Sequence, residues 1–262
     1  MEYIKGMTFA PFAGRGSFES KEAYQSLDTL VERTGANFIM LVPNGLQETP
    51  QSETIDYQSQ ASMSDEELTR MVDYIHEKGL RAALKPTVNC KKLIADIRCE
   101  YTGTVSYNTD KYQEDRVKWW DCVDVISSSG YYPIHDWESQ LDRIEKVVRK
   151  FDKPFFFAEA GCMSTNTSAL TPNDWKVRGS LNLQEQADWY SQMFETAGKR
   201  DFVQGFCMWS WAWKLPSAQA ALKDGGYDIY AKPAEAVVRE FYTRGKNGQM
   251  SAENKREGSG SE

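Results

Sequence analysis

Glu159 stands where a buried strand is predicted to end, and a carboxylate in that place can do chemistry. Residues 154–158, directly before it, are one proline, three phenylalanines and one alanine. A short apolar run of this kind indicates a fully buried strand. Burial disfavours the charged form of a carboxyl group unless that group is paired or used. The alternative is a strand-end glutamate that turns into solvent or caps the next element.

Polar and aromatic residues also follow other predicted strands. They are Lys85, Asn89, Asn108, Asp110, Tyr131, Tyr132, Trp209, Trp211 and Trp213. Tryptophan faces stack on the C–H faces of sugar rings, and hydroxyl and amide groups bind their alcohols. Trp209 and Trp211 lie two residues apart, so they are predicted to share one side of a strand and to line a cleft together or not at all. The alternative is that half of these aromatic residues belong to the core.

A glutamate among such residues suits the hydrolysis of glycosidic bonds. In a retaining enzyme an ionised carboxylate attacks the anomeric carbon and a second carboxylic acid, about 5–5.5 Å away, protonates the leaving oxygen. Tyr131 is a candidate donor of a hydrogen bond that orients Glu159 and keeps it charged. The chain has only two histidines, His76 and His135. A histidine metal site or a Ser-His-Asp triad is therefore not expected, and neither a metal nor a cofactor is predicted.

Apolar runs that predict strands alternate with patterns that predict helices. The runs lie near residues 3–9, 37–42, 81–86, 104–107, 123–128, 155–158 and 205–211. Between the second and third runs, apolar residues recur with the spacing of one buried helix face, from Leu68 to Ile75. Ser64 and Glu67 form a capping-box pattern at the start of this helix, and Gly79 is placed to end it. Such alternation predicts a parallel α/β sheet.

At this length a (β/α) barrel competes with a doubly wound sheet. No glycine-rich phosphate loop follows any predicted strand, and the strand-end loops are long, polar and aromatic, which favours a TIM-type (β/α) barrel. Seven strands are predicted where a complete barrel has eight. The interval between Pro86 and Thr104 is too short for a further strand and helix, so the barrel is predicted to be shortened there.

Composition limits the classes of function. With 262 residues, of which 40% are hydrophobic, the chain is predicted to form one barrel domain over residues 1–244, followed by a disordered polar tail over 245–262. The net charge of -7 argues against a nucleic-acid partner. No apolar run approaches the length of a membrane span. Five separated cysteines without a C-x-x-C pair, and a start unlike a signal peptide, predict a cytoplasmic protein.

These residues together resemble the retaining glycoside hydrolases of the (β/α)8 clan A, and most closely family 113, the β-mannanase family. The resemblance covers about residues 3–244 and is carried by residues 5–9, 84–90, 107–110, 130–133, 157–162 and 209–211. It implies that Glu159 is the nucleophile, Tyr131 its hydroxyl partner and Trp209 a sugar platform. It further implies that Lys85, Asn89 and Asn108 line the cleft.

The chain departs from this family at one place. Family members carry a loop, a helix and a fourth strand after the segment that corresponds to residues 85–89, and that strand ends in the general acid/base glutamate. Here Asn89 and Cys90 run directly into residues 91–94, which resemble the helix after that strand. No residue matches the acid/base. Glu100 is expected at the wrong face of the barrel, and nothing singles out one of the other loop carboxylates, Glu48, Glu53, Asp56 and Asp110.

Two classes of function follow. The first is a retaining glycoside hydrolase acting on β-linked polysaccharide or oligosaccharide of the mannan type, impaired because loss of a general acid costs roughly 10²–10⁴-fold in rate. The second is a non-catalytic carbohydrate binder, or a remnant or engineered scaffold. Another clan A specificity, for a glucan or a xyloside, is a third possibility. An open barrel edge also predicts self-association through unpaired strands.

Overall fold

The computed structural model of the protein describes residues 1–45, 54–86, 91–176 and 179–244. These residues form one sheet of seven strands: β1 (Ile4–Phe9), β2 (Phe38–Leu41), β3 (Arg81–Leu84), β4 (Ser106–Thr109), β5 (Val125–Ser129), β6 (Phe155–Ala160) and β7 (Val203–Trp211). Every paired neighbour is parallel, and the spatial order is β3-β2-β1-β7-β6-β5-β4. The predicted strands are therefore confirmed in number and sequence position.

Helices connect the strands and cover the outside of the sheet. They are α1 (Lys21–Thr34), α2 (Asp65–Glu77), α3 (Lys91–Glu100), α4 (Trp137–Phe151), α5 (Leu183–Ala197), α6 (Ala218–Ala221) and α7 (Pro233–Arg244). At the start of α2, Ser64 and Glu67 form the predicted capping box. Gly79 follows the helix with a φ of 72°, a left-handed conformation that favours glycine. No helix in the described ranges is long and apolar enough to cross a membrane.

The sheet is apolar on both faces, as a barrel requires. Alternate residues of β6 show this: Phe155 and Phe157 belong to the large core between sheet and helices, whereas Phe156 belongs to a smaller cluster on the other face. Ile4, Met40 and Cys207 lie in that same inner cluster. Because parallel strands buried on both faces must exclude water from two layers, this arrangement accounts for the continuous apolar runs in the sequence.

The barrel is open between β3 and β4. These two strands are the ends of the sheet order, and no ladder joins them within the described ranges. Leu84 at the end of β3 is 53% exposed, and Ser106 at the start of β4 is also exposed. The stretch between the two strands contains α3. The sheet is thus a curled, shortened (β/α) barrel of seven strands, and the predicted fold class is confirmed.

A buried ion pair fastens the segment after β4 to the outer face of the sheet. Glu114 is fully buried and accepts hydrogen bonds from Ser128 of β5 (2.5 Å) and from the hydroxyl of Tyr132. Arg143 of α4 donates to its other oxygen at 2.5 Å. Every partner of this carboxylate lies on the helix side, so Glu114 is a structural residue remote from the inner face.

Candidate active site

Glu159 reaches the inner face of the sheet because β6 contains a bulge. Along the β5–β6 ladder, Ser128 pairs with Phe157 but Ser129 pairs with Glu159, so Ala158 is one extra residue on β6. Regular alternation from the inward-facing Phe156 would turn Glu159 outward to the helices. A bulge of one residue reverses that orientation. The side chain of Glu159 is 19% exposed, at the carboxyl end of the strand, as expected for a cleft residue.

Each oxygen of the Glu159 carboxylate contacts one polar side chain. The Tyr131 hydroxyl, which follows β5, donates to Oε2 at 3.1 Å. The Lys85 ammonium, which follows β3, contacts Oε1 as an ion pair. Because three strands separate β3 from β6 in the sheet order, this contact requires the curl of the sheet. A cation and a hydrogen-bond donor each favour the charged form of a carboxylate, which is the form that acts as a nucleophile.

The environment sets the protonation of both partners. Tyr131 is buried, and desolvation raises the pKa of its hydroxyl well above the ordinary value, so the group remains protonated and able to donate. Burial lowers the pKa of Lys85 to about 8. At neutral pH Lys85 is therefore mostly in its ammonium form.

The structure brings Trp209 and Asn108 to the same face as Glu159. The Trp209 ring lies 5.9 Å from the Lys85 ammonium. Asn108 of β4 donates from Nδ2 to the Ser129 hydroxyl at 3.0 Å, and Ser129 is the ladder partner of Glu159. The Oδ1 atom of Asn108 is buried and has no hydrogen-bond partner among the described residues. Asn89 lies outside the described residues, as do Glu48, Glu53 and the segment 245–262.

Trp211 is not in the cleft, and the prediction that it shares a side with Trp209 is wrong. Trp209 packs against the inner cluster, whereas Trp211 is fully buried in the outer core and donates from its indole nitrogen to Ser26 of α1 at 3.1 Å. The cause is a register shift in the β1–β7 ladder, where Met7 pairs with Met208 but Phe9 pairs with Trp211. One extra residue on β7 breaks the alternation on which that prediction depended.

No carboxyl group among the described residues contacts Glu159. Asp110 is exposed after β4, and its Oδ1 accepts from the backbone nitrogen of Lys111 at 2.9 Å. Asp56 is exposed and bonds the nitrogen of Gln58 at 2.7 Å. Glu100 is exposed at the end of α3. The described ranges also contain no group of three or more His, Cys, Asp or Glu residues arranged to hold a metal ion.

Two cavities lie beside these residues. One, of about 480 Å³, is lined by Tyr131 and by the segment from Leu170 to Lys176. The other, of about 320 Å³, is lined by Trp209, Phe12, Trp213, Tyr227 and Asp228. Sequence reasoning missed Phe12, Tyr227 and Asp228. Phe12 carries the same signal as the other candidates, an aromatic residue just after a buried strand, whereas Asp228 lies in a loop with no comparable pattern.

Comparisons with known proteins agree with this architecture. The family described as Glycoside Hydrolase Family 113 matches residues 7–92 and 91–232. The two segments meet at residues 91–92, between β3 and β4, the two ends of the described sheet. A solved GH113 β-1,4-mannanase complex is 39% identical, with 93% of this chain and 99% of that chain covered and a TM-score of 0.90.

Other solved structures are also similar. The GH113 β-mannanase AaManA from Alicyclobacillus acidocaldarius, in complex with ManMIm, is 31% identical over 93% of this chain and 98% of that chain, with a TM-score of 0.88. A β-D-glucuronidase from Dictyoglomus thermophilum is 13% identical over 93% of this chain and 51% of its own, with a TM-score of 0.58, which shows a shared fold alone. No curated protein matches.

Proposed function

The chain belongs to glycoside hydrolase family 113, and from that premise we propose that it hydrolyses β-linked mannan with Glu159 as its nucleophile. The observation that carries the proposal is the Glu159 carboxylate itself. It faces the inner side of the barrel at the carboxyl end of a strand, and Tyr131 and Lys85 contact its two oxygens. Mannan as substrate is supported by the β-mannanases to which the chain is similar.

In this proposal Glu159 attacks the anomeric carbon of the sugar, the bond between that carbon and the glycosidic oxygen breaks, and the leaving oxygen takes a proton from water. The covalent glycosyl-enzyme is then hydrolysed by water, and Glu159 is released unchanged. Tyr131 stays on Oε2 and orients the carboxylate. Lys85 must move off Oε1 as the sugar enters, because that oxygen then bonds to carbon. The flexible four-carbon stem of lysine permits such a movement.

Protonation of the leaving oxygen is the step for which the site offers no general acid among the described residues. Within the described residues no second carboxyl group contacts the site, so polysaccharide turnover is expected to be slow by roughly 10²–10⁴-fold relative to an enzyme with a general acid. An aryl β-mannoside with a good leaving group needs little protonation. Such a substrate is therefore expected to be turned over far more readily than mannan.

A kinetic comparison tests the proposal. The parent chain is expected to release the aryl group, and Glu159→Gln is expected to fall to the background rate of the assay. Glu195→Gln, a matched change at an exposed position on α5, is expected to behave as the parent. Full turnover by Glu159→Gln would show that Glu159 is not the nucleophile.

A second candidate function is carbohydrate binding without catalysis. The observation that favours it is the Lys85 ammonium on Oε1, which occupies the atom that would attack. A binding protein of this kind would show affinity for manno-oligosaccharides in calorimetry and no release of the aryl group. The same pair of measurements therefore separates the two candidates.

A further inference from the structure

Two neighbouring tyrosines after β5 lie on opposite faces of the sheet. Tyr131 points inward and donates to Glu159. Tyr132 is fully buried in the outer core, where its ring meets the Trp137 ring edge to face with 5.2 Å between the centroids. The peptide group that joins the two tyrosines is rigid, so the backbone position of Tyr132 constrains that of Tyr131. The contacts of Tyr132 therefore affect the direction of the Tyr131 hydroxyl.

Tyr132 makes a buried hydrogen bond from each of its ends. Its hydroxyl donates to Oε1 of Glu114, and its backbone carbonyl accepts from the indole nitrogen of Trp189 on α5 at 2.9 Å. Burial raises the pKa of the Tyr132 hydroxyl well above its ordinary value, so the group stays protonated and able to donate. A buried polar group that loses its partner is costly, and these bonds therefore disfavour any other position of Tyr132.

Glu114 connects Tyr132 to the strand that ends beside Glu159. The same Oε1 atom accepts from the Ser128 hydroxyl at 2.5 Å, and Ser128 directly precedes the ladder partner of Glu159. Arg143 of α4 pairs with the other oxygen of the carboxylate. One buried carboxylate thus anchors both the end of β5 and the tyrosine that follows it.

The backbone between β5 and Tyr131 is also closely packed. The backbone nitrogen of Gly130 donates to the carbonyl of Glu159 at 2.7 Å. A Cβ atom at position 130 would lie 2.8 Å from Cδ1 of Phe157 and 3.1 Å from Cη2 of Trp137, so β6 and α4 pack directly against this backbone. The 3.1 Å hydrogen bond from Tyr131 to Glu159 therefore depends on a backbone that is fixed from the outer core.

We propose that Tyr132 is a positioning residue, which through Glu114 and Trp189 fixes the direction of the Tyr131 hydroxyl and so the hydrogen bond that Glu159 receives. Tyr132 touches neither the sugar nor the reacting atoms. The inference rests on the proposed function, because it takes Glu159 as the nucleophile. It extends the functional unit from the cleft to the outer core of the barrel.

The titration of the Glu159 carboxyl group tests this positioning without depending on turnover. It is followed by NMR in protein labelled with carbon-13 at the glutamate carboxyl groups, and the signal is assigned by its absence from Glu159→Gln. Tyr132→Phe removes one hydroxyl and leaves the ring in the core. We expect it to shift the titration of Glu159 to higher pH, because a misdirected hydrogen bond favours the charged carboxylate less. Turnover of an aryl β-mannoside is expected to fall about 10-fold.

The same change in a Tyr131→Phe background separates positioning from a general structural effect. Once the Tyr131 hydroxyl is absent, Tyr132→Phe is expected to shift the titration of Glu159 no further. Trp189→Phe, which removes the hydrogen bond to the carbonyl of Tyr132, is a second variant with the same expected pattern. It should shift the titration in the parent chain and leave it unchanged in the Tyr131→Phe background.

Tyr242→Phe is the matched control, because it removes an equally buried hydroxyl, on α7, that donates to the Gly6 carbonyl at 2.8 Å. It is expected to leave the titration of Glu159 in place. An unmoved titration in Tyr132→Phe, or an equal shift in both backgrounds, would overturn the positioning role. A shift that requires Tyr131, found in a chain that turns over no aryl β-mannoside, would support the positioning of Tyr131 and contradict the proposed function.

Discussion

At the scale of single residues, the nucleophilic role of Glu159 depends on the two partners of its carboxylate. Tyr131 occupies one oxygen and Lys85 the other. Their contributions differ in kind, because Tyr131 is a neutral donor fixed by burial and Lys85 is a cation whose charge depends on pH. The two partners therefore lead to different predictions.

Tyr131→Phe removes the neutral donor and leaves the ring in place. A hydrogen bond to a charged group contributes about 1.5–3 kcal/mol, so turnover of an aryl β-mannoside is expected to fall roughly 10–100-fold. A hydrogen bond to the charged form also lowers the pKa of a carboxyl group. The acidic limb of the pH–rate profile should therefore move to higher pH. Tyr101→Phe, at an exposed site, serves as the control, and an unmoved acidic limb in Tyr131→Phe would contradict the assigned contact.

Glu159→Gln leaves the Lys85 ammonium buried without its carboxylate. Burial lowers the pKa of Lys85 to about 8, whereas an unfolded lysine has a pKa of about 10.4. Between these values the unfolded chain binds more protons than the folded chain, so the free energy of unfolding rises with pH. Between pH 7 and pH 10 the free energy of unfolding of Glu159→Gln is expected to rise by about 2 kcal/mol more than that of the double variant that also carries Lys85→Met. The prediction would be wrong if the free energies of unfolding of the two variants, measured by urea denaturation, changed equally across that pH range.

At the scale of secondary-structure elements, two bulges decide which side chains enter the cleft. Alternation of apolar runs and helix patterns was sufficient to predict all seven strands and the capped start of α2. The same reasoning placed Trp211 wrongly, because the extra residue on β7 cannot be read from side-chain types. Glu159 reaches the inner face through a bulge of the same kind. The sequence indicates which strand end carries a residue, but the register of the neighbouring strand determines its direction.

The contact of Glu114 with Arg143 holds the segment between β4 and β5 against α4. Removing one partner of a buried ion pair is strongly destabilising, and Glu114→Gln is expected to lower the free energy of unfolding by about 3 kcal/mol. Asp115 contacts the same arginine at 2.8 Å but is 53% exposed. Asp115→Asn is accordingly expected to cost less than about 1 kcal/mol. Equal losses in the two variants, measured by urea denaturation, would show that burial is not the deciding factor.

At the scale of the whole molecule, the distinguishing feature is the opening between β3 and β4. Among the described residues β3 and β4 each pair with a neighbour on one side only, and the backbone groups of such edge strands can pair with another chain. We expect the protein to self-associate through this edge. Leu84→Lys, which puts a charge on the exposed end of β3, is expected to shift the population toward monomer in sedimentation velocity experiments. Leu222→Lys, at another exposed leucine, is the control. Sedimentation of the parent chain as a monomer at all concentrations would contradict self-association.

Within the described residues no strand supplies the general acid that the family resemblance leads us to expect, so the central claim is that Glu159 still attacks sugar. A 2-fluoro β-mannoside with a good leaving group tests this most directly, because its glycosyl-enzyme intermediate is long-lived. Mass spectrometry of the parent chain is predicted to show one added fluoromannosyl group, located on the peptide that contains Glu159, and Glu159→Gln is predicted to show none. A label on another residue, or an unlabelled parent chain, would contradict the account.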